Sequence, residues 1–448
     1  MKNKAIKLII PILCAALIIT GCALVYAKTS GAQQEAYVED AATNTVVTDD
    51  ATIQFDLDWN EPAEESETKT ETKPKETTAQ TTDAKSSSDL FSERDLSAAY
   101  DDEVIQVELT GSGATADSDN VSISGSNVVI TGSGTYLVSG KLENGSIIVD
   151  TSKEDKVQLV LSGVSIHSET YAAIYVKQAD KVFVTLTEGT ENTLSNGGTF
   201  TQQDDNNVDA VIFAKDDLTL NGSGSLTVTS PAGHGIVGKD EVTITGGVYE
   251  ITAAKCAIRA NDSIAIADGT FTLTAGTDGL HAENDDDDTL GNIYITGGTF
   301  TINARDDAIH ANTLLQIDGG SFEITGAEGL EATYIQINNG DISVSASDDG
   351  VNAAKKSSAY TPTVEINGGT LTVVMGAGDT DGIDSNGNLI ITGGTVNVTG
   401  NSTFDVDGTV SFTGGTVIIN GQQVSSIPNQ MMGGGMRGGM MGGKGRHG

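Results

Sequence analysis

Glycine recurs at short intervals between residues 246 and 420, and this repetition limits the possible folds more than any other feature of the chain. Successive units close on a glycine, and the steps between these glycines run from 20 to 29 residues. The glycines are Gly247, Gly269, Gly298, Gly320, Gly340, Gly369, Gly394 and Gly415. A unit of this length holds short strands and tight turns but no crossover helix, which excludes an α/β sheet.

Each unit contains three short apolar segments. The segment after each glycine is apolar at alternate positions, as at Phe271 and Leu273, and a period of two is typical of a β-strand. A second segment starts with an acidic, a small and an apolar residue, as in residues 278–282. A third segment, such as residues 293–295, leads into the next glycine. This pattern predicts an all-β fold in which residues 100–425 wind into a single parallel β-helix, a solenoid.

The chain is strongly acidic. Its 448 residues include 62 acidic and 24 basic side chains, which give a formal net charge of -38. Such a charge repels nucleic acids and anionic membrane surfaces, so neither is a predicted partner. The apolar content of 38%, together with the regular period, indicates a packed core and not a disordered chain.

The N-terminal segment predicts export. Three lysines precede the apolar run 8–19, which has the length of a signal peptide and is short for a membrane span. The sequence Ile19-Thr20-Gly21-Cys22 resembles a bacterial lipobox, which implies that residues 1–22 are a lipoprotein signal peptide and that Cys22 carries the lipid. The alternatives are plain secretory cleavage near Ala23 or Ala27, or an uncleaved anchor. The predicted location is the extracellular face of the cell membrane.

Two segments without periodicity flank the repeats. Residues 23–99 are rich in Thr, Glu, Lys, Ala and Ser, and are predicted to be a disordered linker. Residues 426–448 are rich in Gly and Met and are predicted to be a disordered tail. The part of the chain beyond the signal peptide contains only Cys256, which excludes an internal disulfide framework. We interpret Cys256 as a small buried residue because its own unit contains no histidine to deprotonate it.

The repeats predict a column of carboxylates. Coils stack about 4.8 Å apart, so the first residue of each second segment aligns with its equivalent in the next coil. These residues are Asp278, Asp307, Glu328, Asp349 and Asp381. Stacked carboxylates repel one another, and hard oxygen ligands favour Ca²⁺, so the column predicts calcium binding. Further predicted ligands are Asp204, Asp205, Asp209, Asp285 and Asp384. The alternative is that Asp before Gly is only turn chemistry and that the acidic loops are solvated.

Five other side chains are predicted to contact a glycan: Lys255, Arg259, Arg305, His281 and His310. The two histidines occupy equivalent positions one coil apart, which is a spacing that also suits a transition metal. Without a third histidine or a thiolate beside them, we interpret both as solvent-facing. Arg305 is followed by two acidic residues, so a surface ion pair also explains it.

Three stretches resemble a known family. Residues 172–176 (Ala-Ala-Ile-Tyr-Val), 188–194 and 215–224 are similar to the carbohydrate-binding parallel β-helix proteins of clostridia and related Gram-positive bacteria. That family is similar in fold to pectate lyases. The resemblance implies a right-handed β-helix that is secreted, binds calcium, and binds acidic plant polysaccharide such as polygalacturonate, and also cellulose.

Three functions are compatible with these features. We predict a calcium-dependent carbohydrate-binding lipoprotein that recognises acidic polysaccharide without cleaving it. The first alternative is a pectate-lyase-like polysaccharide lyase, with Lys255, Arg259 or Arg305 as the base. The second is a structural surface adhesin. Aromatic residues make up only 5% of the chain, and Phe271, Phe300 and Phe322 are predicted core residues. Tyr171 and Tyr360 remain as loop aromatics, and this scarcity favours acidic over neutral sugars.

Overall fold

The computed structural model of the chain describes residues 82, 84–100, 103–376 and 380–428. The chain divides into two units, Met1–Lys75 and Glu76–Gly448, and every described residue lies in the second. The predicted signal peptide, Cys22, and most of the predicted linker and tail therefore lie outside the described residues. No helix within the described ranges has the length and apolar character needed to cross a lipid bilayer.

The described residues are almost entirely β. One short α-helix, Ser87–Leu90, precedes 36 strands that belong to one sheet, and nearly all pairings are parallel. Most strands pair with the strand one coil before and the strand one coil after, which produces three ladders. The prediction of an all-β, many-stranded parallel solenoid is confirmed at this level.

The first ladder contains the strands that follow the glycines: Ile105–Gly111, Gly134–Leu142, Lys156–Ser168, Glu191–Asn196, Ser225–Ser230, Val248–Ala253, Thr270–Ala275, Thr299–Ala304, Ser321–Gly326, Asp341–Ala346, Thr370–Met375, Thr395–Thr399 and Thr416–Ile419. The second ladder contains Asn127–Ile130, Ile147–Asp150, Ile174–Gln178, Ala210–Ala214, His234–Gly238, Ile258–Ala260, Leu280–Ala282, Ile309–Ile317, Leu330–Ile337, Val351–Ala353, Asp381–Ser385 and Ser402–Val406.

The third ladder contains Lys181–Leu186, Asp217–Gly222, Glu241–Ile244, Ser263–Ile266, Asn292–Ile295, Thr363–Ile366, Asn388–Ile391 and Val410–Phe412. Three long strands each take part in two ladders: Lys156–Ser168, Ile309–Ile317 and Leu330–Ile337. The remaining strands, Ala114–Ala116, Val121–Ser124 and Gln422–Val424, make the antiparallel pairs near the two ends.

The core is a continuous apolar column inside the coils. In the first ladder, side chains alternate between exposed and buried along each strand, as the period of two predicts. Phe271, Phe300 and Phe322 are each 1% exposed, and their rings stack at centroid distances of 4.7 and 4.6 Å. The glycine before Phe300, Gly298, has a φ of 108°, and an added Cβ would lie 3.1 Å from the Gly269 carbonyl oxygen. The turn therefore requires glycine.

Residues 84–99, here called the strap, lie along the outer face of the third ladder. At one end, the Lys85 backbone N donates to Gln316 Oε1 at 2.9 Å. At the other end, Asp95 accepts a 2.6 Å hydrogen bond from Thr219 Oγ1 and pairs with Lys181 Nζ at 2.9 Å. The prediction of disorder up to residue 99 is therefore wrong for these residues. Their polar composition resembles that of a linker, but Lys85, Asp95 and Ser97 each form a hydrogen bond with a residue more than a hundred positions away.

Candidate functional site

Two neighbouring rows of polar side chains run along the second ladder. The turn row contains the residue two positions before each strand, except that its last member is the first residue of its strand. Backbone hydrogen bonds between coils align these residues. They are Cys256, Asp278, Asp307, Glu328, Asp349 and Asp381. The strand row consists of consecutive partners in the strand register: Arg259, His281, His310, Glu331, Asn352 and Asp384. The structure thus brings the five predicted column residues together. It also places beside them a second row that sequence reasoning recognised only in part.

The two histidines lie at the centre of these rows. Their rings stack at a centroid distance of 4.7 Å and an interplanar angle of 17°. His281 Nδ1 lies 2.8 Å from Asp278 Oδ2, and its Nε2 lies 3.1 Å from Glu283 Oε2. His310 is 9% exposed. Our interpretation of both residues as solvent-facing is wrong, because the neighbouring carboxylates cover and bind the rings.

The His281 group carries shifted pKa values. Burial favours the neutral ring, but the hydrogen bonds to Asp278 and Glu283 outweigh it and raise the pKa of His281. Burial likewise opposes ionisation of Asp278, yet the His281 hydrogen bond lowers the pKa of this carboxyl below its usual value. The same ring lowers the pKa of Glu283 to about 2. His281 therefore has a carboxylate against each ring nitrogen, an arrangement that favours the charged form of the ring.

A second ionic group occupies the next coil. His310 Nδ1 lies 2.8 Å from Asp307 Oδ2 and 2.7 Å from Glu331 Oε2, and Lys356 Nζ lies 2.7 Å from Glu331 Oε1. Burial disfavours the charged ring, but these carboxylates raise the pKa of His310 to about 10. Burial raises the pKa of Asp307 to about 6, with the Glu331 charge as a further cause. This group already balances its charges internally.

The raised pKa of His310 predicts a loss of stability at alkaline pH. The ordinary value is 6.5 and the folded-state value is about 10, so the folded state binds this proton more tightly. The contribution is complete below about pH 6.5 and is lost as the pH rises towards about 10. We expect the melting temperature of the wild-type chain to fall more steeply over that interval than that of His310→Gln. Parallel curves would show that the ring carries no such proton.

The C-terminal end of the rows differs from the centre. Asp349, Asp381 and Asp384, here called the C-terminal acidic cluster, have no lysine or arginine within ion-pairing distance in the described part of the chain. The Asp381 backbone N donates to Asp349 Oδ1 at 3.1 Å. Burial, then the charges of neighbouring aspartates, raise the pKa of Asp349 to about 6 and that of Asp384 to about 7. The cluster concentrates negative charge that its neighbours do not balance.

An amide beside this cluster has an unused oxygen. Asn352 lies opposite Asp384 in the strand register and is 8% exposed. Its Nδ2 donates to Glu328 Oε2 at 3.0 Å, but its Oδ1 is buried and has no hydrogen-bond donor among the described residues. A buried carbonyl oxygen without a donor is costly, and either a bound water or a cation would satisfy it. Burial, followed by the charges of nearby carboxylates, raises the pKa of Glu328 to about 8, so this carboxyl is largely protonated at neutral pH.

The other predicted calcium ligands lie outside the two rows. Asp204 accepts a 2.7 Å hydrogen bond from the Tyr175 hydroxyl, and Asp209 pairs with Lys255 at 2.8 Å. Asp205 and Asp285 are exposed. None of the four belongs to the C-terminal acidic cluster.

The predicted basic contacts are also separated from one another. Lys255 is paired with Asp209, and Arg259 Nη2 lies 3.3 Å from Glu283 Oε2. Arg305 is exposed and lines an open groove of about 400 Å³ with small residues such as Gly326 and Ser347. The ion pairs of the described residues do not include the one expected for Arg305. Tyr171, expected as a loop aromatic, is 3% exposed.

Sequence reasoning missed Glu331, Asn352 and Lys356 as site residues. A signal was present for the first two, because each lies three positions after an acidic residue of the turn row, as His281 and His310 do. The repeat therefore marks both rows. Lys356 follows an irregular turn, and nothing in the repeat relates it to Glu331.

Comparison with known proteins identifies a family for this chain. Residues 124–380 match the model of a family described as "Carbohydrate-binding domain-containing protein". The chain belongs to this family. The match includes both histidine groups and Asn352, and it ends one residue before Asp381.

A curated relative from Acetivibrio thermocellus has the same description as the family. It is 39% identical over 137 residues, which cover 30% of this chain and 48% of the relative. The chain thus spans about half the length of the relative that it matches. A solved structure, described as a polysaccharide lyase-like protein from C. thermocellum in a gadolinium derivative, is 33% identical. The alignment covers 54% of this chain and 94% of that one, with a TM-score of 0.48.

Proposed function

We propose that this solenoid is a carbohydrate-binding module that recognises acidic polysaccharide through bound Ca²⁺ and does not cleave it. The observation that carries the proposal is the C-terminal acidic cluster together with the donorless Oδ1 of Asn352. Membership of the carbohydrate-binding family supports the general class of ligand. The calcium dependence and the acidic ligand are argued below from this chain's own residues.

The donor set of the cluster fits calcium. Asp349, Asp381, Asp384 and Asn352 offer carboxylate and amide oxygens, which are the ligands that Ca²⁺ takes. Neither nitrogen nor sulfur is among these donors. Asp349, Asp381 and Asp384 are partly buried, so a cation bound between them would reduce their mutual repulsion. It would also give the buried Oδ1 of Asn352 a partner, which that oxygen otherwise lacks among the described residues. Ca²⁺ bound there would supply positive charge and further coordination positions for sugar carboxylates.

The chain holds these oxygens in place before any ligand arrives. The Asp381 backbone N and side chain are both engaged, the first by Asp349 Oδ1 and the second by the Ser402 hydroxyl. The parallel register fixes Asn352 opposite Asp384. Such fixed positions reduce the entropy lost when a cation and a glycan bind.

The charge of the chain favours a bridging cation. With a formal net charge of -38, the surface repels a polyuronate unless positive charge lies between the two. Neutral glycans are usually bound on aromatic side chains, and Tyr100 is the one large exposed aromatic among the described residues. Both observations support an acidic ligand.

The absence of cleavage is part of the proposal. A lyase needs a free base beside the metal to remove a proton next to the uronate carboxyl. Lys255 and Arg259 are held in ion pairs, and Arg305 lines a groove formed by other turns. This arrangement supports binding without a catalytic step.

The proposal also includes four further features. They are export, a lipid on Cys22, a location on the outer face of the cell membrane, and a right-handed β-helix. The first three rest on the sequence of residues 1–22, and the hand rests on the family resemblance. A surface module that holds insoluble polysaccharide gains from such an anchor, because tethering raises the effective concentration of each weak site.

The test is a glycan-binding panel with the full chain, measured with calcium and with a chelator. We expect retention on polygalacturonate in calcium, loss of retention with chelator, and no unsaturated uronide absorbance after long incubation. Retention that survives the chelator would refute the calcium bridge. Accumulating unsaturated product would instead identify a lyase, and failure to bind any glycan would favour the structural adhesin.

A further inference from the structure

The only cysteine among the described residues lies against the first histidine group. Cys256 belongs to the same turn row as Asp278, one coil away, and its Sγ lies 3.5 Å from Asp278 Oδ2. Asp278 Oδ2 in turn lies 2.8 Å from His281 Nδ1. The three donor atoms all lie within 4.8 Å of one another. The sequence interpretation had excluded a thiolate beside the histidines, because it considered Cys256 only within its own unit.

We propose that Cys256 Sγ, Asp278 Oδ2 and His281 Nδ1 form a binding site for a zinc-class divalent cation, separate from the oxygen-only C-terminal acidic cluster. Sulfur, imidazole nitrogen and carboxylate oxygen together are the donors of zinc and related transition metals, whereas calcium avoids sulfur and nitrogen. One thiolate, one carboxylate and a neutral imidazole balance the charge of such an ion. On binding, the thiol proton and the Nδ1 proton of the ring leave to solvent.

The surroundings of the three donors match those of known metal sites. The ring nitrogen that faces away from the site, His281 Nε2, lies 3.1 Å from Glu283 Oε2. A carboxylate on the far nitrogen of a metal-bound histidine fixes the tautomer and strengthens the ligand. Asp278 is also oriented, because its Oδ1 accepts a 3.1 Å hydrogen bond from the Asp307 backbone N. The ligands are therefore positioned by groups that do not themselves bind the ion.

Solvent can reach the site, and its three protein ligands do not complete the coordination of a metal ion. The side chain of His281 is 12% exposed, and Thr277, whose Oγ1 lies 3.3 Å from Cys256 Sγ, is partly exposed. Three protein ligands leave one tetrahedral position for water or for a ligand oxygen, which is the pattern of zinc sites that do chemistry or bind substrate.

The neighbouring histidine group is a natural comparison. Asp307, His310 and Glu331 also place their donor atoms within 4.8 Å of one another. That group has no sulfur, and Lys356 already neutralises Glu331 at 2.7 Å. The structure thus assigns the transition metal to the group of Cys256, Asp278 and His281. It does not assign the metal to the group that contains His310.

Cobalt(II) titration of the full chain tests this assignment, because a thiolate bound to Co²⁺ gives a near-ultraviolet charge-transfer band. We expect this band with one equivalent of Co²⁺, and its bleaching when Zn²⁺ displaces the cobalt. The band should be lost in Cys256→Ser and in His281→Asn. Glu283→Gln should keep the band but weaken binding by about 10- to 100-fold, as expected for a residue that orients a ligand.

Asp286→Asn is the matched control, since it removes one negative charge from an exposed position in the loop after Glu283 without removing a donor. It should leave the band and the affinity unchanged. Because the difference between wild type and Cys256→Ser isolates this thiol, cysteines elsewhere in the chain do not confuse the result. A wild-type chain without the band, or a band that persists unchanged in Cys256→Ser, would overturn the proposal.

Discussion

Phe300→Ala is expected to destabilise the solenoid by about 3–5 kcal/mol, the usual cost of truncating a buried aromatic side chain. Phe300 is 1% exposed, and its ring is stacked between Phe271 and Phe322 at 4.7 and 4.6 Å. The cavity would interrupt a column of rings that also includes Tyr249, 5.1 Å from Phe271. Each coil contacts only its neighbours, so a weak coil in the middle uncouples the two ends.

The measurement is denaturant unfolding followed by circular dichroism. We expect the midpoint to fall and the transition to broaden or split, because the two halves would no longer unfold together. Thr301→Ala changes the adjacent, exposed position on the same strand and serves as the control, with little expected change. An equal, small shift for both variants would mean that the stacked rings do not connect the coils.

Asp349→Asn combined with Asp384→Asn is expected to abolish the effect of calcium on the protein. A ligand that binds only the folded state stabilises it by about 2.7 kcal/mol at a concentration one hundred times its dissociation constant. Wild type should therefore melt at a higher temperature in calcium than in chelator. The double variant should show the same melting temperature in both, because two of its carboxylates no longer attract the ion.

Polygalacturonate retention should disappear in the same variant. Asp341→Asn combined with Glu323→Gln removes two charges from exposed positions of the first ladder and controls for net charge. This control should keep both the calcium shift and the retention. A double variant that still binds polygalacturonate only in calcium would place the calcium elsewhere on the solenoid.

The periodicity was sufficient to predict the core and the column of acids. Residues such as Phe271, Phe300 and Phe322 repeat the same position in each coil, and a parallel stack forces equivalent positions into contact. The alignment of Asp278 with Asp307 follows from the same rule. These are consequences of strand geometry and need no knowledge of distant partners.

The sequence did not reveal which acidic side chains already pair with a cationic side chain in the folded protein. Asp278 and Asp307 bind histidines from their own coils, Glu331 binds a lysine from the next turn, and Asp349 has no cationic partner among the described residues. Repeat spacing treats these positions as equivalent, whereas the irregular turns between strands distinguish them. The contact of Cys256 with Asp278 follows from the same stacking rule, and it was missed because Cys256 was compared only with residues of its own unit.

The strap determines how the solenoid would respond to force. Lys85, near the start of the strap, bonds to the coil of Gln316, whereas Asp95, further along, bonds to the earlier coil of Thr219, so the strap runs backwards over the coils. Within the strap, a pull on the N-terminal side of the chain would reach Lys85 before Asp95. The force would then break the contacts of the strap one after another. The buried ion pair between Asp95 and Lys181 would be among the last to break. The strap would therefore detach and extend under load. The first coil, and any glycan bound further along the solenoid, would stay in place.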